Sequence, residues 1–113
     1  MKVLVVHRQE SVLQIIKEQM KVWSIRSYTS GLDALIASKF ETFDLILCGQ
    51  NLPVVTGIEL VRSIRNLSKN KNTPVILLAE GNETPEHERI INILNANLMT
   101  LNEVEEMKYL KFG

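Results

Sequence analysis

Few side chains in this sequence are of a type that could carry catalysis or bind a metal ion. The candidates are one cysteine, two histidines and two aspartates: Cys48, His7, His87, Asp33 and Asp44. Neither histidine has a second histidine or a cysteine at ligand spacing, so a metal site is not expected. Cys48 ends an apolar run, which is typical of a small buried core residue rather than of a nucleophile. We therefore expect a protein that is not an enzyme and that binds no cofactor.

The stretch from Asp44 to Leu60, DLILCGQNLPVVTGIEL, is where chemistry would be expected. It reads as a buried strand, a loop containing proline and glycine, and the start of a helix. In open α/β sheets the chemistry lies at the carboxyl ends of strands, and the first residue after this strand is Gly49. Glycine has no nucleophilic side chain, and Thr56 in the following loop has no visible base. The central position of the stretch therefore carries no reactive group.

The hydrophobic pattern predicts five strands alternating with five helices. Predicted strands cover residues 2–6, 22–28, 44–48, 74–78 and 98–101, and predicted helices cover 11–21, 31–39, 57–67, 85–94 and 103–112. Ser11 is predicted as an N-cap and Pro85 as the first residue of its helix. The predicted inward positions of the second, third and fourth helices are Leu32, Leu35, Ile36, Leu60, Val61, Ile64, Leu67, Ile90, Ile91 and Leu94. This alternation predicts a single α/β domain over residues 1–113, with a parallel sheet covered by helices on both faces.

Composition excludes several functions. The 113 residues contain 13 basic and 13 acidic side chains, so no basic footprint for nucleic acid or for a membrane surface is present. The apolar runs are too short to span a bilayer, and no signal peptide is evident, so a cytoplasmic location is expected. Residues 80–106 nevertheless carry seven glutamates. These glutamates are either solvated helix faces or a docking surface.

Several segments together resemble one known family. They are KVLVV in the first strand, SGLDAL at the second helix, DLILCGQNLPVVTGIELVRSIR across the third strand and helix, TPVILLAE at the fourth strand, and NANLM before the fifth. The chain resembles the receiver domain of two-component response regulators, and Leu52 to Leu60 is the most specific part of the match. The resemblance implies a flavodoxin-like (βα)5 three-layer sandwich with strand order 2-1-3-4-5, and a place in phosphorelay signal transduction.

The residues that perform phosphoryl transfer in that family are replaced here. In the family an aspartate after strand three accepts the phosphoryl group, and two acidic residues after strand one help it to hold Mg²⁺. A hydroxyl residue ends strand four and a lysine ends strand five. Carried over position by position, these residues become His7, Arg8, Gly49, Ala79 and Asn102. The resemblance therefore implies a degenerate phosphoacceptor pocket without Mg²⁺, because Mg²⁺ needs oxygen ligands and Arg8 would repel it.

Two further features follow from the resemblance. Arg8 and Glu80 are expected at neighbouring strand ends, where they either pair across the pocket and lock its loops or remain two solvated charges. The fourth helix, fifth strand and fifth helix form the partner face in the family. Here that face, for a protein partner or a homodimer, would contain Glu86, Glu88, Arg89, Met99, Glu105, Glu106 and Lys108.

The function favoured by the sequence is a receiver-like signalling domain that is not phosphorylated and acts by protein–protein contact. Two alternatives stay open. One is an active phosphorelay receiver with an atypical phosphoacceptor. The other is a small-ligand sensor that uses the vacated pocket beside Gly49.

Overall fold

The five strands form one parallel sheet in the order β2-β1-β3-β4-β5, as predicted. A computed structural model describes residues 1–109, apart from the side chains of Leu67 and Tyr109. The strands are β1 (Lys2–Val6), β2 (Ser24–Tyr28), β3 (Leu45–Cys48), β4 (Val75–Leu78) and β5 (Asn97–Met99). The helices are α1 (Glu10–Gln19), α2 (Gly31–Phe40), α3 (Gly57–Leu67), α4 (Pro85–Ile93) and α5 (Leu101–Glu106), and a 3-10 turn (Met107–Tyr109) follows α5.

The core lies on both faces of the sheet, as the continuous apolar strands predict. Every residue of β3 and β4 is buried. Side chains that alternate along β1 separate the two faces: Leu4 and Val6 pack with α2, α3 and α4, whereas Val3 and Val5 pack with α1 and α5. The three-layer sandwich is therefore confirmed. Among residues 1–109, no helix has the length and apolar character needed to cross a membrane.

The ends of two helices differ from the prediction. Helix α1 begins at Glu10, and Gln9 occupies its N-cap without a side-chain hydrogen bond, so the predicted Ser11 cap is wrong. Helix α5 begins two residues earlier than predicted, because Thr100 and Glu103 form a reciprocal capping box. This capping box shortens β5 and moves residues 101 and 102 into the helix. The predicted continuation of the last helix to Phe112, and the predicted inward side chain of Leu67, lie outside the described residues.

Helix α2 buries a face that only partly matches the prediction: of the predicted inward residues, Leu35 is half-buried and packs against the core. Its buried residues are Gly31, Ala34 and Ser38, while Leu32 and Ile36 are 44% and 47% exposed. The reason is close packing: a Cβ atom on Gly31 would lie 2.6 Å from the carbonyl oxygen of Val55, so only small residues fit this contact. The predicted inward positions of Leu32 and Ile36 are therefore wrong.

The predictions for the other two helices are mostly confirmed. In α3, Leu60, Val61 and Ile64 are fully buried. In α4, Ile91 is buried, but Ile90 is 38% exposed, so its predicted inward position is wrong.

One arginine joins several elements at the amino-terminal edge of β4. The guanidinium of Arg65, on α3, donates hydrogen bonds to the carbonyl oxygens of Lys71 (3.1 Å), Thr73 (2.6 Å), Leu94 (2.9 Å) and Asn95 (3.0 Å). It therefore ties α3 both to the loop before β4 and to the end of α4. Its planar fork of donors suits this contact with several carbonyl groups.

Candidate functional site

The ends of β1, β3 and β4 bring three of the predicted site residues to one edge of the sheet. His7 directly follows β1, Gly49 follows β3 and Ala79 follows β4. Backbone hydrogen bonds fix this edge: the N–H of Gly49 donates to Val6 (2.8 Å), and the N–H of Ala79 donates to Met99 (2.7 Å). The groups offered there are an imidazole, a bare backbone and a methyl group.

The space beside Gly49 is filled by the His7 ring. A Cβ atom built on Gly49 would lie only 2.8 Å from Cδ2 of His7 and 3.4 Å from its Cγ. The ring is oriented by the backbone N–H of Gln9, which donates to Nδ1 at 3.0 Å. Because Nδ1 accepts this hydrogen bond, the neutral ring carries its proton on Nε2. The His7 ring therefore lies directly against the place where a side chain at position 49 would begin.

Electrostatics keep this imidazole neutral. Burial is the main cause that lowers the pKa of His7 below its ordinary value of 6.5, and the charge of Arg8 adds to it. The charge of Glu80 and the hydrogen bond from Gln9 act in the opposite direction. With the pKa below 6.5, His7 is mainly uncharged at pH 7.

Of the two alternatives that the sequence leaves open for Arg8 and Glu80, the ion pair does not occur within residues 1–109. The carboxylate of Glu80 instead accepts a hydrogen bond from the amide of Asn51 at 2.8 Å. The strand order explains this, because β3 lies between β1 and β4 and brings its own loop next to Glu80. The bridge across the edge is therefore Asn51 to Glu80, and Arg8 is an exposed side chain.

Asn102 lies elsewhere. It is an exposed residue in the first turn of α5, not the last residue of a strand. There it lines a shallow surface depression with Glu105, Glu106 and Lys108. The early start of α5 at the capping box accounts for this position. Four of the five predicted pocket residues thus follow the three central strands, and the fifth belongs to a helix surface.

Comparison with known proteins identifies the family. The response regulator receiver domain family matches residues 3–100 of this chain. This chain belongs to that family. The cell cycle response regulator CtrA of Brucella ovis is 35% identical to the receiver domain over 81 residues, which are 70% of this chain and 34% of that protein. The same values hold for CtrA of Brucella abortus strain S19. The chain spans about a third of the length of these curated relatives.

Solved structures agree with this assignment. Chemotaxis response regulator CheY4 of Vibrio cholerae superposes on the receiver domain with a TM-score of 0.82 and 24% identity, over 95% of this chain and 94% of that chain. A second structure of CheY4, crystallised at low pH, gives a TM-score of 0.77 and 28% identity over 87% and 82% of the two chains. The flavodoxin-like fold of this chain is therefore the fold of CheY4.

The residues at this edge of the receiver domain do not fit Mg²⁺. The ion takes oxygen ligands in near-octahedral geometry and usually one or two carboxylates. The positions after β1 and β3 supply an imidazole, a guanidinium and a glycine, and no group of three His, Cys, Asp or Glu side chains suited to a metal ion occurs within residues 1–109. The positions after β1 and β3 therefore lack the oxygen ligands that Mg²⁺ requires.

A cavity lies beside the Asn51–Glu80 bridge, and both bridge residues line it. Its volume is about 260 Å³, and its lining residues are Gln50, Asn51, Thr56, Ile58, Glu80, Asn82 and His87. Gln50 forms part of the wall, and its side-chain amide donates to the carbonyl oxygen of Leu78 at 2.8 Å. Gly49 and His7 do not line this cavity. This cavity thus lies next to the residues that follow Gly49 in the chain, but not next to Gly49 itself.

The predicted partner face consists mostly of charged residues. On α4, Glu86, Glu88 and Arg89 are exposed. Ile93, which is 75% exposed, does not belong to this face, because it lines a surface depression with Arg65 and Asn66 of α3. The other predicted members divide by exposure: Met99 and Glu105 are partly buried, and Glu106 and Lys108 are exposed. The helical period of α4 does not by itself show which of Ile90, Ile91 and Ile93 faces inward. The packing shows that Ile91 is the buried one.

Proposed function

We propose that this receiver domain is not phosphorylated at the end of β3 and that it signals by protein–protein contact independent of phosphorylation. The observation that carries the proposal is the pairing of Gly49 with His7. A phosphoacceptor must be a nucleophilic side chain, and glycine has none. The His7 ring fills the space into which such a side chain would extend.

Neighbouring nucleophiles do not replace the missing one. Cys48 is fully buried, and burial raises the pKa of its thiol, so the reactive thiolate is disfavoured. The hydroxyl of Thr56 accepts from the backbone N–H of Glu59 (3.2 Å) and donates to the Glu59 carboxylate (3.0 Å), so it serves as the N-cap of α3. Asp44 lies at the opposite end of β3 and accepts from the backbone N–H of Lys2 at 2.7 Å. These contacts support a domain without a phosphoacceptor.

The contact surface that we propose is the α4–β5–α5 face, defined by Met99, Glu86, Glu88, Arg89, Glu105, Glu106 and Lys108. Met99 is its apolar residue, and an apolar centre with a charged rim is the usual organisation of a protein interface. The rim carries four glutamates and two basic residues, so a partner with an apolar patch and an excess of basic residues would complement it. A second copy of this chain would use the same surface.

Titration with Mg²⁺ and beryllofluoride, followed by amide NMR spectra, tests the proposal. We expect no saturable shift of the backbone amides of His7, Gly49 or Ala79, because no carboxylate follows β1 or β3 to hold the complex. A receiver domain with an aspartate after β3 serves as the positive control. Saturable shifts at these amides would contradict the proposal and favour a receiver with an atypical phosphoacceptor.

A further inference from the structure

The loop between β4 and α4 is built around the carboxylate of Glu83. The backbone N–H of Glu80 donates to both of its oxygens (3.2 and 3.1 Å). The N–H of Gly81 donates to one oxygen at 3.3 Å, and the N–H of Asn82 donates to the other at 3.1 Å. Three successive backbone N–H groups thus converge on one anion. Such a concave set of N–H groups is an anion-binding nest, which we define here as the amides of residues 80–82.

The backbone of this loop is adapted to the nest. Gly81 has a φ of +89°, a left-handed backbone conformation that residues with a side chain rarely adopt. A Cβ atom built on Gly81 would meet no other atom within 4 Å. Glycine is therefore needed for the backbone turn rather than for space. The hydrogen bonds from the loop amides lower the pKa of Glu83, against an opposing effect of burial, so the carboxylate is charged at pH 7.

The nest connects the sheet edge to the partner face. Its first residue, Glu80, also forms the bridge to Asn51, and its last residue is followed closely by Thr84, the N-cap of α4. The side-chain oxygen of Thr84 accepts from the N–H of His87 at 3.1 Å, which fixes the first turn of α4. The nest therefore directly precedes the first turn of the helix that carries Glu86, Glu88 and Arg89.

We propose that Glu83 is a built-in anionic ligand that occupies an oxyanion site in the β4–α4 loop and thereby holds the start of α4 in one conformation. This inference rests on the proposed function, because it supplies the means by which a domain without a phosphoryl group keeps its partner face fixed. The ligand class of the site is a small oxyanion, either a carboxylate or an inorganic phosphate. In the native chain the site is closed to free anions because Glu83 fills it.

Amide hydrogen exchange of residues 80–82, measured by NMR, tests the proposal on four proteins: wild type, Glu83→Gln, Glu83→Ala and Glu86→Gln. Glu86 is an exposed glutamate in the first turn of α4, so its variant is the matched control for charge. We expect exchange at these amides to rise about tenfold or more in Glu83→Ala, less in Glu83→Gln, and not at all in Glu86→Gln. Unchanged exchange in Glu83→Ala would overturn the proposal.

Titration with inorganic phosphate completes the test. Phosphate added to Glu83→Ala should shift the amides of residues 80–82 saturably and slow their exchange again, while wild type should not respond. Equal responses of the two proteins would show that Glu83 does not occupy the site and would overturn the proposal. Both readouts report on the loop itself. They are therefore independent of whether the domain accepts a phosphoryl group, which the beryllofluoride titration decides.

Discussion

The contact between His7 and Gly49 makes a quantitative prediction for Gly49→Ala. The added methyl group would lie 2.8 Å from Cδ2 of His7, well inside the separation of about 3.5–4.0 Å at which carbon atoms attract. The backbone of Gly49 does not have a positive φ, so alanine meets no conformational strain there. Overpacking costs about 1–3 kcal/mol, and the smaller entropy of the unfolded chain offsets about 0.4–1 kcal/mol. We expect a net loss of about 1–2 kcal/mol in the free energy of unfolding.

A double-mutant cycle assigns this cost to the ring. Urea unfolding, followed by the fluorescence of the single buried tryptophan Trp23, would be measured for wild type, Gly49→Ala, His7→Ala and the double variant. Without the imidazole, the alanine at position 49 should cost nothing or stabilise the protein slightly. An equal cost in both backgrounds, or no cost in the wild-type background, would refute the reasoning.

Three further predictions follow from the structure. The folded state favours neutral His7, so the contribution of His7 to stability is complete above the ordinary pKa of 6.5 and is lost as the pH falls below that value towards the lowered pKa. The midpoint of urea unfolding should therefore fall less between pH 7 and pH 5 for His7→Ala than for wild type. Parallel curves for the two proteins would contradict this prediction. Arg65→Met should lower the free energy of unfolding, measured by urea unfolding, by about 2–3 kcal/mol, because it leaves part-buried carbonyl groups without donors. Arg65→Lys should retain part of this stability. A loss below about 0.5 kcal/mol in Arg65→Met would count against this prediction. Glu88→Lys should weaken association at the α4–β5–α5 face with a basic partner, because it reverses a charge on that face; pull-down of the partner measures this. Glu10→Lys, which reverses an exposed glutamate in the first turn of α1, is the control for the loss of helix stability that both variants share. Equal effects of the two variants on association would contradict the assignment of this face.

The fold could be predicted because its signals are local and strong. The apolar runs of β1, β3 and β4 can be buried only in a sheet that is covered on both faces. The error in α2 has a different origin: periodicity selects the large apolar residues, but the tight contact of Gly31 with Val55 admits only small ones. The start of α5 was available in the sequence, since Thr100-x-x-Glu103 matches the capping-box pattern.

The candidate site was harder to predict from the sequence than the fold. The residue types after each strand followed from the family resemblance, but their contacts did not. His7 lies against Gly49 because an N–H two residues further along the chain orients its ring, and sequence spacing does not show such a rotamer. Of the two alternatives for Arg8 and Glu80, the ion pair does not form because β3 separates the two strands, a consequence of the strand order that the resemblance itself implied. The nest around Glu83 depends on the backbone conformation of Gly81, which composition alone does not reveal.

The most direct test of the central claim is the intact mass of the protein after incubation with acetyl phosphate and Mg²⁺, beside a receiver domain that has an aspartate after β3. The account predicts that the control gains a phosphoryl group while this chain keeps the mass of the unmodified polypeptide. A stoichiometric phosphate adduct on this chain would contradict the account.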